Sequence, residues 1–173
     1  MSFFKLILVS LFLATGLGSC MKTINQISVS QLTEAQEVTL LAKYIAKFHP
    51  GLAPKSSGLY FIETKAAPSG SDSIKVGDLV NVYYSGFLIS ESTTGGVLDG
   101  YNFDSSGLNY PVSFVVGAGR VIPGWEEGVT YMKNGSEAKL IIPSKLAYYN
   151  QHYSAIPPYS TLVFYVRIIK STL

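Results

Sequence analysis

A single cysteine among 173 residues has no partner in its own chain, so an intramolecular disulfide framework is excluded. Histidine is nearly as scarce. The two present, His49 and His152, are far apart and lack a cysteine at ligand spacing, which argues against a zinc site. Charged residues make up 14% of the chain and form no basic run, so the electrostatic footprint of a nucleic-acid binder is missing. There is no GxGxxG or Walker-type phosphate loop, and the isolated 117-GAG-119 does not make one. No metal, no cofactor and no nucleic acid is expected.

What is present begins with an apolar leader. In MSFFKLILVSLFLATGLGSC one lysine precedes an apolar run from Leu6 to Leu17, followed by small residues up to Cys20. That run is shorter than the about 20 residues a bilayer-spanning helix takes. It fits the h-region of a secretory signal peptide over 1–19. The end of the leader, LGSC, resembles the lipobox of bacterial lipoproteins, in which the cysteine becomes the acylated first residue of the mature protein. The resemblance implies a lipid on Cys20, and a lipid-anchored place in the bacterial cell envelope, on the outer membrane facing the periplasm. An acylated Cys20 would be no nucleophile. The plainer reading is a chance cysteine after an ordinary cleavage site. Losing the leader removes only Lys5 and lowers the formal net charge of +2 by one.

Residues 20–31 have no usable period and read as a tether. Over 32–50 the pattern predicts a helix. Thr33 and Gln36 fit a capping box, Val38, Leu41, Ile45 and Phe48 fall on one face, and Pro50-Gly51 stops it. Such a helix either packs on its own domain or joins two copies, so both monomer and dimer stay open. From 57 to 173 the texture is strand and turn. GLYFIETK, DLVNVYYSGFL, YPVSFVV, EAKLIIP and STLVFYVRII read as strands, and 90-SESTTGG-96 as a surface loop or hairpin tip. In the last strand Leu162, Phe164, Val166 and Ile168 point one way, and Val163, Tyr165, Arg167 and Ile169 the other. Only GWEEGV interrupts with a helical turn. The expected class is α+β, an antiparallel sheet covered by one short helix, with the N-terminal amphipathic helix in addition.

The sharpest enzymatic motif is Glu126-Glu127 beside the only tryptophan, Trp125. Neighbours on a helix point about 100° apart, so two adjacent carboxylates converge poorly on one bond. Acids in a first turn instead complement the exposed N–H groups of a helix start. His49, at a helix end, is expected to complement the last carbonyls. His152 is either an exposed polar residue or a rim contact. There remains a dense set of aromatic and branched residues near turns: Tyr84, Phe103, Val112, Phe114, Val121, Ile122, Trp125, Tyr148, Ile156 and Phe164, with Asp104 among them. Taken alone, such a set describes a core as well as it describes a site.

The order of motifs carries more. VNVYYSG, LDGYNFDSS, PVSFVVGAGRVIPGWEEGVTYMKNGSEAKLIIP and LAYYNQHYSAIPPYSTLVFYVRII together resemble the FKBP-type peptidyl-prolyl cis–trans isomerases. The leader and the helix before SGLYFIE are similar to exported bacterial members of that family. The resemblance implies a curled antiparallel sheet wrapped around one short helix. It implies that Trp125 floors an apolar pocket walled by Val121 and Ile122, with the Ile122 N–H available to a substrate carbonyl. It further implies that Tyr84, Phe103, Phe114 and Phe164 are pocket aromatics, that the Tyr148 hydroxyl bonds a ligand carbonyl, that Asp104 is the pocket's acid, and that Ile156 lies on its rim. By this analogy Tyr84, Asp104, Trp125 and Tyr148 are the catalytic set, and the rest bind substrate.

The chain departs from the family pattern in places. Val112 stands where an aromatic is usual, Tyr149 where a glycine is, and Ala155 where a larger aliphatic is. The usual arginine partner of Asp104 has no counterpart, and the segment between Gly86 and Asp104 is longer. The implied substrates are proline-containing segments of unfolded exported proteins. The alternative is a non-catalytic chaperone or peptide-binding module on the same fold, with Tyr149 closing the pocket mouth.

Overall fold

The computed structural model describes residues 32–107 and 110–172. The leader, Cys20 and the tether lie outside the described residues. Two helices and six strands follow one another as α1 (Glu34–Phe48), β1 (Tyr60–Lys65), β2 (Leu79–Glu91), β3 (Val97–Ser105), β4 (Val112–Val115), α2 (Pro123–Thr130), β5 (Glu137–Ile142) and β6 (Leu162–Thr172), with a 3₁₀ turn at Ser144–Leu146. Every pairing is antiparallel, in the order β1-β5-β6-β2-β3. The sheet does not close. The α+β class expected from the sequence holds, with α2 on one face and α1 on the other.

The curl comes from β2. Of its 13 residues, Leu79–Leu88 pair with β6 along one edge, while the other edge is shared. Leu79–Val82 pair with β4 and Ser85–Glu91 with β3, and the register shifts on either side of Phe87. β3 was not foreseen as a strand. The longer segment between Gly86 and Asp104 is therefore not a loose loop but a hairpin, with 92–96 at its tip.

Alternation along β6 assigns the two faces as expected. Leu162, Phe164, Val166 and Ile168 are buried against Trp125, Val129, Leu140 and Ile142. Burying side chains of this size stabilises the fold by about 1.5–3 kcal/mol each before entropy is counted. Helix α2 seats tightly on β5. A Cβ at Gly124 would stand 2.4 Å from Ile142 Cγ2, and one at Gly128 2.7 Å from Leu140 Cδ1, so only glycine permits this approach.

On the opposite face Leu40 and Tyr44 of α1 pack with Ile89, Val97, Ile141 and Val163. The Thr33–Gln36 capping box is present. The expected apolar face is only half buried: Leu41 and Ile45 pack partly buried against this cluster, while its two ends turn outward. Val38 is 62% exposed and Phe48 42%, while Glu37, Leu40 and Tyr44 are buried. Polar bonds explain this rotation. Tyr44 donates its hydroxyl to Asp99 and accepts from Lys139 Nζ at 2.6 Å, and Tyr165 donates to Asp99 at 2.6 Å. Burial, then the Asp99 bond, pushes the Tyr44 hydroxyl far above its ordinary pKa, and burial lowers Lys139. The outer hairpin also grips α1, through Lys43–Glu91 at 2.8 Å and Lys47 Nζ to the Val97 carbonyl at 2.7 Å.

His49 does not complement the last carbonyls with its side chain. Its backbone N–H caps Ile45 O at 2.8 Å, and its Nε2 is buried with no partner among the described residues. Burial, then the Lys139 charge, lowers its pKa. No described helix is long and apolar enough to cross a membrane.

Candidate active site

Trp125 is the third residue of α2, because Ile122 is the N-cap and Pro123 opens the helix, where its missing N–H costs nothing. The indole is 4% exposed and is enclosed by aromatic edges. Tyr84 meets it edge-on at 5.0 Å between centroids, Phe164 edge-on at 5.2 Å, and Phe114 tilted at 6.0 Å. Phe103 adds a further T-shaped contact on Phe164 at 5.5 Å. Edge-to-face pairs of this kind contribute about 0.5–1.5 kcal/mol beyond their buried area. Val121, Ile122 and Tyr148 pack half-buried against the same cluster.

Polar groups stand around this apolar set. The Tyr84 hydroxyl donates to Asp104 Oδ2 at 2.6 Å. Burial, then that bond, raises the Tyr84 pKa well above 10.0, so the phenol remains a donor. Tyr148 stacks on Tyr153 at 4.2 Å with rings 7° from parallel, and burial is the main cause of its raised pKa. The Ile122 carbonyl accepts the Trp125 and Glu126 N–H groups, while its own N–H is bonded to no described group. Trp125 Nε1 likewise finds no acceptor among the described residues. The site therefore combines an apolar floor and walls with three hydrogen-bonding groups at its margin: the Tyr84–Asp104 pair, the Tyr148 hydroxyl and the Ile122 N–H.

Most of the residues expected in the site are brought together. Two are placed otherwise. Val112 is 36% exposed at the start of β4 and is not among the residues packed on the aromatic cluster. Ile156 is 3% exposed and packs in the same cluster as Trp125, Phe114 and Phe164, so it joins the site from within rather than at its rim; a tight turn pairs it with Tyr153 in both directions. Tyr149 does not close the mouth. Its hydroxyl donates to Glu34 of α1 at 3.2 Å, and its ring meets Tyr159 edge-on at 5.4 Å. His152 is exposed.

The paired glutamates are structural, but through partners the sequence did not reveal. Glu126 accepts the backbone N–H groups of Gly117 (2.5 Å) and Gly119 (2.9 Å), and so holds the 117–119 turn against α2. Glu127 accepts the Tyr131 hydroxyl at 2.8 Å. Neither pairs with the other. Sequence reasoning also missed Tyr153, whose ring covers Tyr148; the Tyr-rich texture of that loop was its only signal.

Among the described residues no group of three His, Cys, Asp or Glu is gathered to hold a metal. A concavity of about 480 Å³ is bordered by Tyr84, Ala138 and Val166 and lined by the outward residues Tyr83, Ser85, Glu137, Tyr165 and Arg167. These alternate with the core-facing residues of their strands, so it lies on the sheet face opposite Trp125.

An open antiparallel sheet curled around one short helix, with aromatic rings enclosing the tryptophan of that helix, is the arrangement this chain shares with a known enzyme family. The chain belongs to the FKBP-type peptidyl-prolyl cis-trans isomerase family, whose family model matches residues 70–169. It is 44% identical over 114 residues to FK506-binding protein 4 of Mycosarcoma maydis, covering 66% of this chain and 28% of that protein. It is 37% identical over 116 residues to the FK506-binding protein of Neisseria meningitidis serogroup C, covering 65% of this chain and 96% of that one. Among solved structures it is similar to FkpA from Escherichia coli, at 36% identity and a TM-score of 0.64, covering 80% of this chain and 59% of the other. The chain thus spans less than two thirds of both the Mycosarcoma protein and the FkpA chain.

Proposed function

We propose that this chain catalyses cis–trans isomerisation of X-Pro peptide bonds in unfolded exported proteins, working from a lipid anchor on Cys20 in the bacterial envelope. The observation that carries the reading is the Trp125 floor, ringed by Tyr84, Phe114 and Phe164, with donors at its margin. The barrier to rotation about a peptide C–N bond, about 18–20 kcal/mol, is the resonance lost when the bond twists. A twisted amide has less charge on its carbonyl oxygen than a planar one and needs less solvation. A pocket that strips water from the X-Pro carbonyl therefore favours the twisted form. Bringing a process of about 100 s to milliseconds takes about 7 kcal/mol.

In this mechanism the proline ring lies on Trp125 between Tyr84, Phe114 and Phe164. The Ile122 N–H and the Tyr148 hydroxyl hold the flanking backbone, and Asp104 orients the Tyr84 hydroxyl through its 2.6 Å bond. No proton transfer or covalent intermediate is called for. Tyr149, turned toward Glu34, gives no support to a closed, non-catalytic module.

The test is a protease-free isomerisation assay on X-Pro peptides with the full chain in detergent. Rate enhancement that falls when Trp125 is replaced by leucine supports the proposal. An uncatalysed rate, with suppression of aggregation retained, replaces it with the chaperone reading. For the anchor, Cys20→Ala is expected to release the protein from the membrane fraction; a variant that stays there removes the lipid from the account.

A further inference from the structure

α1 lies outside the stretch that the family model matches, yet its first two turns hold the segment that carries Tyr148. Glu37 is 5% exposed. Its carboxylate accepts three hydrogen bonds: the Ser144 N–H at 2.6 Å, the Ser144 hydroxyl at 2.5 Å and the Thr161 hydroxyl at 2.8 Å. Ser144 and Thr161 are the two ends of the long connection between β5 and β6. One buried carboxylate thus ties both ends of that loop to a helix on the far face of the sheet.

The same serine organises the turn around Tyr148. Its carbonyl accepts the N–H groups of Ala147 and Tyr149, both at 2.8 Å, on either side of the tyrosine. At the surface Glu34 repeats the grip, with Lys145 Nζ at 2.5 Å and the Tyr149 hydroxyl at 3.2 Å.

The strands themselves do not require this clamp, since Ile142 and Leu162 already pair in register. The loop does. Tyr149, Ser154 and Tyr159 have φ of 51°, 51° and 56°, the left-handed region that residues with a Cβ adopt only under restraint. Three such residues make the loop's shape depend on contacts from outside it, and the Glu37 bonds just inside its paired ends are contacts of that kind.

We propose that Glu37 is a positioning residue for the isomerase site, setting the Tyr148 side of the pocket through Ser144 and Thr161. This rests on the reading above that Tyr148 meets substrate. Glu37 touches no part of the pocket and acts only through the loop, so α1 belongs to the site's scaffold as well as to the fold.

The test is a double-mutant cycle in the full chain, in detergent, at a temperature where circular dichroism shows every variant folded. Glu37→Gln keeps the size but places an amide N–H₂ among donors that need acceptors. It is expected to lower kcat/KM about fivefold in wild type and less than about twofold in a Tyr148→Phe background, because two changes acting through one group do not add. Thr161→Val, which removes a single donor, is expected to show the same non-additivity at about twofold, and it decides the matter should Glu37→Gln fail to fold. A kcat/KM within experimental error of wild type overturns the proposal, as does an equal loss in both backgrounds. An inactive wild type sinks the isomerase reading and this one with it; an active wild type with additive losses sinks only the role of Glu37.

Discussion

Gly86 abuts two rings of the aromatic cluster, and adding one methyl there probes that cluster directly. The residue pairs with Asp104 of β3 on one side and Phe164 of β6 on the other. A Cβ at this position would lie 2.7 Å from Phe103 Cζ and 2.7 Å from Phe164 Cε1. Carbon atoms rest at about 3.5–4.0 Å, so both rings have to retreat by about 1 Å. Phe164 also touches Trp125 and Tyr84, and its displacement disturbs the whole enclosure. Overpacking of this kind costs about 1–3 kcal/mol. Relief of the glycine's backbone entropy returns about 0.5–1 kcal/mol, leaving a net loss of about 0.5–2 kcal/mol for Gly86→Ala. With a urea m-value of about 2 kcal/mol/M the midpoint drops by about 0.3–1 M. Activity should fall further than stability, at least about tenfold in kcat/KM, because a shift of this size at the site spoils substrate placement. Phe103→Leu in the same chain withdraws one ring and should recover about 1 kcal/mol of the loss. A Gly86→Ala protein as stable and as active as wild type, or losses that simply add with Phe103→Leu, would refute the packing argument.

Other expectations follow from the polar groups. Tyr84→Phe removes the bond to Asp104 at a half-exposed position, and a fewfold loss of kcat/KM with little change in the urea midpoint is expected from steady-state rates and denaturation on one preparation. The raised pKa values of Tyr44, Tyr84 and Tyr165 mean that the folded state holds their protons more tightly than the unfolded one. Their contribution is therefore complete below pH 10.0 and is lost as pH rises beyond it. Absorbance at the phenolate band should grow together with the loss of circular dichroism rather than before it. His49 runs the other way. Its pKa lies below 6.5 in the folded state, so stability is full above that value and declines as pH falls through the window beneath it. His49→Leu should flatten that acid slope, and a slope unchanged by the substitution would assign it to another group.

Much of the fold was legible because local signals agreed with long-range packing. The Thr33–Gln36 cap marked the start of α1, and the alternation of Leu162, Phe164, Val166 and Ile168 gave the core face of β6. What was not legible had a common cause. The buried face of α1 was read only in part, through Leu41 and Ile45, because periodicity counts apolar side chains, whereas this helix also buries a glutamate and a tyrosine. Glu37 is satisfied by Ser144, 107 residues away, and Tyr44 by Lys139, 95 residues away. β3 escaped because LDGYNFD has neither β-branched runs nor clean alternation. It becomes a strand only because the second half of β2 offers it a partner edge. Glu126 was assigned to its own helix because the turn it holds, at Gly117 and Gly119, carries no side chain that would announce an acceptor nearby.

The misread contacts share a role beyond their origin. Residues that line the pocket come from the strands, from α2 and from the turn after Ser144, and their motifs stand out in the sequence because aromatic side chains are large and sparse. Residues that hold those elements in place are mostly small or polar, and their partners range from 7 residues away, as for Glu126, to 124, as for Glu37. The outer hairpin exists in part as a seat for α1, through Val97 and Glu91. α1 in turn fixes both ends of the loop bearing Tyr148. Anchored this way, the N-terminal helix and the longer β2–β3 hairpin form one support, and their presence in the same chain has a physical reason. Shortening the hairpin to Ser90–Leu98 would remove the Lys43 and Lys47 contacts at one end of α1 and loosen the Glu37 clamp at the other. The loss would register in the rate before it registered in the fold.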